Sequence, residues 1–210
     1  CETAIEISTL SKFGPTGPPK EVKIDAPSPF TKSLFQVWYR VKTEKEGLLL
    51  FDIIPVDPAD NYDFLLYKAE NPKFCGDIQS GKLIELRANL SRNEPELNGI
   101  TGLSITGQPE PFSPGIEVKP DEEYILVLNS MYKCKGHTIV FKYLENLTIY
   151  GKINHAENNQ TIQAQVFWTN LRTKETTSSV ISNKQGDYQL PVLVNTEAHR
   201  FPSYLLWVYA

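Results

Sequence analysis

The sequence is poor in the residues on which most chemistry depends: one methionine, three histidines and three cysteines in 210 residues. Cys1, Cys75 and Cys134 are too few and too widely spaced for a zinc ribbon or a C-x-x-C redox pair. Neither a G-x-S-x-G elbow nor an H-E-x-x-H metal motif occurs. His137 follows Gly136 at the start of an apolar run, whereas His155 and His199 stand in polar segments. These contexts predict strand-end or surface histidines, because metal or triad use needs convergent partners. No run of Lys or Arg gathers on one segment and the net charge is −4, which argues against nucleic acid as a partner. No apolar run approaches the roughly 20 residues of a membrane helix, and the expectation is a chain with no transmembrane segment and no signal sequence of its own.

Strand signals are abundant. At 40% hydrophobic and 22% charged, the chain can bury a core. Apolar and polar residues alternate in steps of two. Phe35, Val37, Tyr39 and Val41 share one face of their run, as do Ile162, Ala164, Val166 and Trp168 of theirs. Fifteen prolines and twelve glycines punctuate these runs at the short intervals of β-sandwiches. The pattern predicts an all-β chain with strands near 3–8, 20–25, 35–43, 47–55, 62–68, 82–88, 101–106, 115–119, 123–130 and 137–144. A short helical turn is expected around 74–78, where the alternation lapses. A new pattern opens at Leu147 and continues through the 161–168 strand. This predicts two antiparallel β-sandwich domains, 1–144 and 145–210, joined with almost no linker and packed together.

The segment "DIIPVDPADNYDFLLYK", residues 52–68, holds Asp57, Asp60, Asn61 and Asp63 between two apolar runs. Hard oxygen ligands at this density suit calcium. The order departs from an EF-hand, however, and Asp57-Pro58 fits the opening of a type I turn whose Asx side chains bond nearby N–H groups. A structural turn is favoured over a calcium site, and both over a catalytic carboxylate pair, which lacks a third polar group. The flanking runs are expected to be adjacent strands, with Val56 and Phe64 pointing inward and Asp60 and Asp63 partly exposed. Trp38 lies on the polar face of its strand beside Gln36 and Arg40. It is read as covered by a loop or the opposite sheet, with a glycan-binding platform as the alternative. Asn89, Asn146 and Asn159 begin N-x-S/T sequons.

The stretches "CETAIEI", "VWYRVKTEKEGLLLFDIIPVDPADNYDFLLYK", "ITGLSIT" and "PDEEYILVLNS" with "GHTIVFKY" resemble a jelly-roll domain of large envelope and secreted proteins of the Bacteroidetes, itself distantly similar to pre-peptidase C-terminal domains. "LTIYGKI", "AQVFW" and "NKQGDYQLPV" resemble a carboxypeptidase regulatory-like domain, a transthyretin-like sandwich, with Asn183 in place of the family's usual acidic residue. The jelly-roll resemblance implies an antiparallel sandwich that accompanies other activities without catalytic residues of its own, and no cofactor is expected beyond the calcium weighed above. The resemblances imply a C-terminally truncated piece of a longer protein. Three cysteines, as one disulfide and a free thiol or with Cys1 bearing lipid as in bacterial lipoproteins, place it in the periplasm, at the outer membrane or outside the cell. The jelly-roll proteins begin with a similar Cys, which implies a Cys1–Cys75 disulfide with Cys134 free. The rival is a Cys75–Cys134 bond that leaves Cys1 for lipid.

The function expected is therefore a non-catalytic envelope or secreted module for assembly, spacing or binding of an envelope protein or glycan. A carbohydrate-binding module is the second reading and a hydrolase the third.

Overall fold

The structure, a computed structural model, describes residues 3–10, 12–21, 30, 35–91, 95–130, 132–170, 176, 179–194 and 204–209. Cys1, His199 and residues 22–25 of the expected second strand lie outside the described residues. The chain is all-β. In order come β1 (Ile5–Ser8), β2 (Lys20–Glu21), β3 (Phe35–Lys42), β4 (Gly47–Pro55), β5 (Asp63–Lys68), helix α1 (Phe74–Gln79), β6 (Arg87–Asn89), β7 (Thr101–Ser104), β8 (Phe112–Pro114) and β9 (Ile116–Val118). Then follow β10 (Glu123–Ser130), β11 (His137–Lys152), β12 (Gln165–Asn170), β13 (Val180–Ile181), β14 (Asp187–Val194) and β15 (Tyr204–Tyr209). The chain divides into two compact units, Cys1–Tyr143 and Leu144–Ala210, and β11 carries it from one into the other.

In the first unit one sheet runs β1-β3-β10-β5-β6, with β2 also on β3. The other places the first half of β11 beside β4, then β7 and β8, with β9 also on β4. The pairings of β1 with β3 and of β7 with β8 are parallel, while β10 pairs antiparallel with both β3 and β5. β5 and β10 read as near-continuous apolar runs because both faces of their sheet are covered. Phe64 on the inner face meets Phe51 of the opposite sheet. Leu65, Tyr67, Ile125 and Val127 on the outer face pack against Phe30 and against Phe74 and Ile78 of α1. The sheets are also tied at one edge, where the guanidinium of Arg87 in β6 donates to the carbonyls of Pro114 and Gly115 and Ser113 Oγ donates to Ala88.

In the second unit β14 pairs with the second half of β11, and a separate sheet runs β13-β12-β15. Ala164, Val166 and Trp168 are buried in a core with Ile153 and Leu190, which is the face that their alternation in sequence marks out.

One sequence expectation is overturned here. β4 and β5 are not adjacent strands, since they belong to different sheets, and residues 56–62 form an arch between those sheets. Phe64 is inward and fully buried, but Val56 is 49% exposed. The physical reason is that Asx and Pro turns serve a hairpin and an arch equally well. Which sheet accepts the second strand is settled by its long-range partners, β10 and β6.

Candidate functional site

The arch is where polar and titratable side chains concentrate. Pro58 follows Asp57, whose Oδ1 accepts the Ala59 N–H at 3.0 Å while its carbonyl accepts the Asp60 N–H at 2.8 Å. Lys135, between β10 and β11, closes the arch from outside. Its ammonium lies 2.6 Å from Asp57 Oδ2 and its backbone N–H donates to Asp60 Oδ2 at 2.7 Å. The Lys135 ammonium, and then the Ala59 N–H, hold the Asp57 carboxyl below its usual pKa. The neighbouring Gly136 carbonyl accepts the Val56 N–H at 2.8 Å. From the other side Gly99, at φ 74°, packs so closely that a Cβ there would come within 2.8 Å of the Asp60 carbonyl oxygen. A side chain at that position would conflict both with the left-handed backbone and with the arch.

Behind the arch lies a buried polar cluster. His137 Nε2 is 2.7 Å from the Tyr39 hydroxyl, and its backbone N–H donates to Thr16 Oγ1 at 3.1 Å. The imidazole meets the rings of Tyr62 and Tyr39 edge to face, with centroids 4.9 and 5.7 Å away. Burial lowers the His137 pKa to about 4, so the ring is neutral. Burial likewise raises the pKa of the Tyr39 and Tyr62 hydroxyls. The Cys134 thiol is buried, lies 3.0 Å from Ser130 Oγ and donates toward the Asn61 carbonyl at 3.9 Å; burial pushes its pKa up too. Asp63, at the start of β5, is pushed up to about 6 by burial, against the opposing hydrogen bond from the Asn129 side chain. A thiolate nucleophile with a histidine base would need these shifts reversed. The environment keeps thiol, imidazole and phenols neutral, which suits packing.

The sequence-predicted site residues fall as follows. Asp57, Asp60 and Asn61 lie together in the arch, and Asp63 follows at the start of β5. Oxygens of Asp57 and Asp60 already face the cationic side chain or the N–H of Lys135. Among the described residues, no three His, Cys, Asp or Glu side chains gather as metal ligands. Trp38 is half-buried: it packs on the cluster that α1 covers and donates its indole N–H to Gln36 Oε1 at 3.0 Å. Cys75, on α1, is disulfide-bonded and Cys134 is a free thiol. Cys1, the partner expected for Cys75, lies outside the described residues. Asn89 is buried, and its Oδ1 accepts from both the N–H and the hydroxyl of Ser91. His155 is exposed in a polar turn where Nδ1 accepts the Glu157 N–H.

Sequence reasoning missed Lys135, Tyr62 and Gly99 as parts of this site and read His137 as a bland strand end. No local pattern marks them, because their partners are 39 to 121 positions away in the chain. The best available signal was the Lys-Gly-His triplet opening a strand. In comparisons with known proteins, the chain matches no family model and no curated protein.

Proposed function

We propose that this chain is a non-catalytic accessory module of a larger cell-envelope or secreted protein, serving assembly, spacing or binding of an envelope protein or glycan. The observation that carries the reading is the buried cluster behind the arch. The groups that acid–base or nucleophilic chemistry would use are held neutral inside the core, His137 against the Tyr39 hydroxyl and Cys134 against Ser130 Oγ and the Asn61 carbonyl. The disulfide at Cys75 supports an extracytoplasmic setting, since such bonds persist in oxidising compartments. The resemblance of the two halves to a Bacteroidetes jelly-roll domain and to a carboxypeptidase regulatory-like domain supports the same role and implies further domains in the full protein.

The test is capture. The purified chain, immobilised and incubated with solubilised envelope material, is expected to retain a protein or glycan component and to turn over no peptide or glycoside substrate. Turnover that disappears on substituting residues of one cluster would replace this reading with a hydrolase.

A further inference from the structure

Asparagine is followed by glycine at one place in the sequence, Asn98-Gly99, and aspartate nowhere. The pair joins the 3₁₀ turn Pro95–Leu97 to β7. Both residues lie in the left-handed region, at φ 51° and 74°, and the Ile100 N–H closes the turn on the Leu97 carbonyl at 3.0 Å. Asn98 is exposed, whereas Gly99 is buried against the arch. A Cβ on Gly99 would come within 2.9 Å of Pro55 Cγ and of the Pro58 carbonyl oxygen, besides the Asp60 carbonyl. The Gly99 backbone is thus a wall of the arch, bonded directly to a solvated asparagine.

We infer that Asn98 is a site of spontaneous hydrolytic modification, and that its isoaspartyl product releases the arch. The Gly99 nitrogen gives its proton to solvent and bonds to Asn98 Cγ. The bond from Cγ to the side-chain nitrogen breaks, ammonia leaves, and a cyclic imide remains. Water then opens the imide, at Cγ to leave aspartate on an ordinary backbone, or at the main-chain carbonyl to leave isoaspartate. Water is the co-reactant and nothing is oxidised or reduced. In isoaspartate the main chain runs through Cβ and Cγ, so it is longer by a methylene between the Asn98 Cα and the Gly99 nitrogen. Gly99 favours ring closure because no side chain shields its nitrogen, and the turn is closed by the Ile100 N–H instead of its own. The exposed Asn98 amide admits water at both steps. The turn itself opposes the reaction. The nitrogen meets Cγ only after Asn98 ψ rotates out of the turn and breaks the Leu97–Ile100 bond, so local opening sets the rate. The added methylene is not absorbed at Gly99, where carbonyl and proline atoms of the arch already stand in close contact.

In the experiment the whole chain is held in mildly alkaline buffer at physiological temperature, then mapped by peptide mass and labelled with isoaspartyl methyltransferase. The free peptide Pro-Glu-Leu-Asn-Gly-Ile-Thr runs alongside. The expected result is a gain of about 1 Da, with methyl acceptance, in the fragment holding Asn98. Its rate should be roughly tenfold below that of the free peptide and should approach it in urea, where the turn is open. Asn98→Gly, which keeps positive φ accessible, should show neither signal. The isoaspartyl fraction should melt a few degrees below freshly purified Asn98→Asp, which carries the charge on an ordinary backbone. Its amide NMR signals should also move at Asp60 and Lys135, whose bond helps close the arch. No gain at Asn98 while the free peptide reacts, or methyl acceptance that persists in Asn98→Gly, would overturn the modification site. An isoaspartyl fraction that melts with Asn98→Asp and leaves the Asp60 and Lys135 amides in place would overturn the release of the arch.

Discussion

Phe51 and Phe64 meet edge to face, with ring centroids 5.4 Å apart and planes at 70°, although each belongs to a different sheet. The arch between them therefore joins the two layers of the core, and both rings are buried almost completely. Phe64→Ala is expected to cost about 3–5 kcal/mol in urea denaturation. Phe51→Ala should cost a similar amount, and the double variant less than their sum because the rings share a contact. Strict additivity would mean that the rings contribute independently.

Calcium should leave the protein unchanged. The Lys135 ammonium sits on Asp57 and the Lys135 N–H on Asp60, so an ion would have to displace a bond at each residue. Melting curves in millimolar Ca²⁺ and in chelator are expected to coincide; a rise in Tm with calcium would restore a metal role for the arch by mass action on the native state.

His137 predicts acid sensitivity. Burial lowers its folded-state pKa to about 4, beneath the ordinary 6.5, so protonation favours the unfolded chain. Its contribution is fully present above pH 6.5 and is lost as the pH falls through 4, up to about 3 kcal/mol. The imidazole NMR signals should report a neutral ring at pH 5.5. A titration midpoint near 6.5 in the folded protein would contradict its burial against Tyr39 and Tyr62.

Asp63 acts in the opposite direction. Its folded-state pKa is raised to about 6, so the protonated form favours the folded chain. That stability is present below its ordinary pKa of 3.8 and is lost as the pH rises through 6. Asp63→Asn is therefore expected to raise Tm at pH 8 and to leave it little changed at pH 4. An equal shift at both pH values would assign the effect to packing instead of charge.

The cysteines should separate by reactivity. Cys134 is 1% exposed, so it is expected to resist alkylation in the native protein and to react fully in denaturant. Reduction of the Cys75 disulfide should lower Tm, in line with the roughly 2–4 kcal/mol typical of such bonds. Peptide mapping without reductant identifies its partner: a Cys75–Cys134 peptide would contradict the free thiol.

Strand identity was legible wherever one face alone is buried. Ala164, Val166 and Trp168 alternate with exposed or half-exposed neighbours, and their burial follows that pattern. It was equally legible in β10, whose apolar run is long and bounded by a Pro-Asp turn. The helical turn α1 showed itself where alternation lapsed. At 82–88 the pattern overstated the strand, since the ladder forms from Arg87. The residues there hydrogen-bond in turns about α1 before reaching β5, as Lys82 and Leu83 do with the Asp77 carbonyl.

Local sequence by itself determined that residues 57–60 turn, because the Asp57 carboxylate and Pro58 act within four positions. It also determined which side chains are apolar enough to be buried, because burial free energy follows side-chain area. The tertiary structure decided that this turn is an arch between sheets, that Lys135 closes it, and that His137 and Asp63 have shifted protonation. Those outcomes depend on β10 and β11 arriving from more than 60 residues away to supply a cation, a carbonyl and a desolvating wall. Hydrogen-bond partners and dielectric surroundings belong to places in space, and a short window of residues does not contain them.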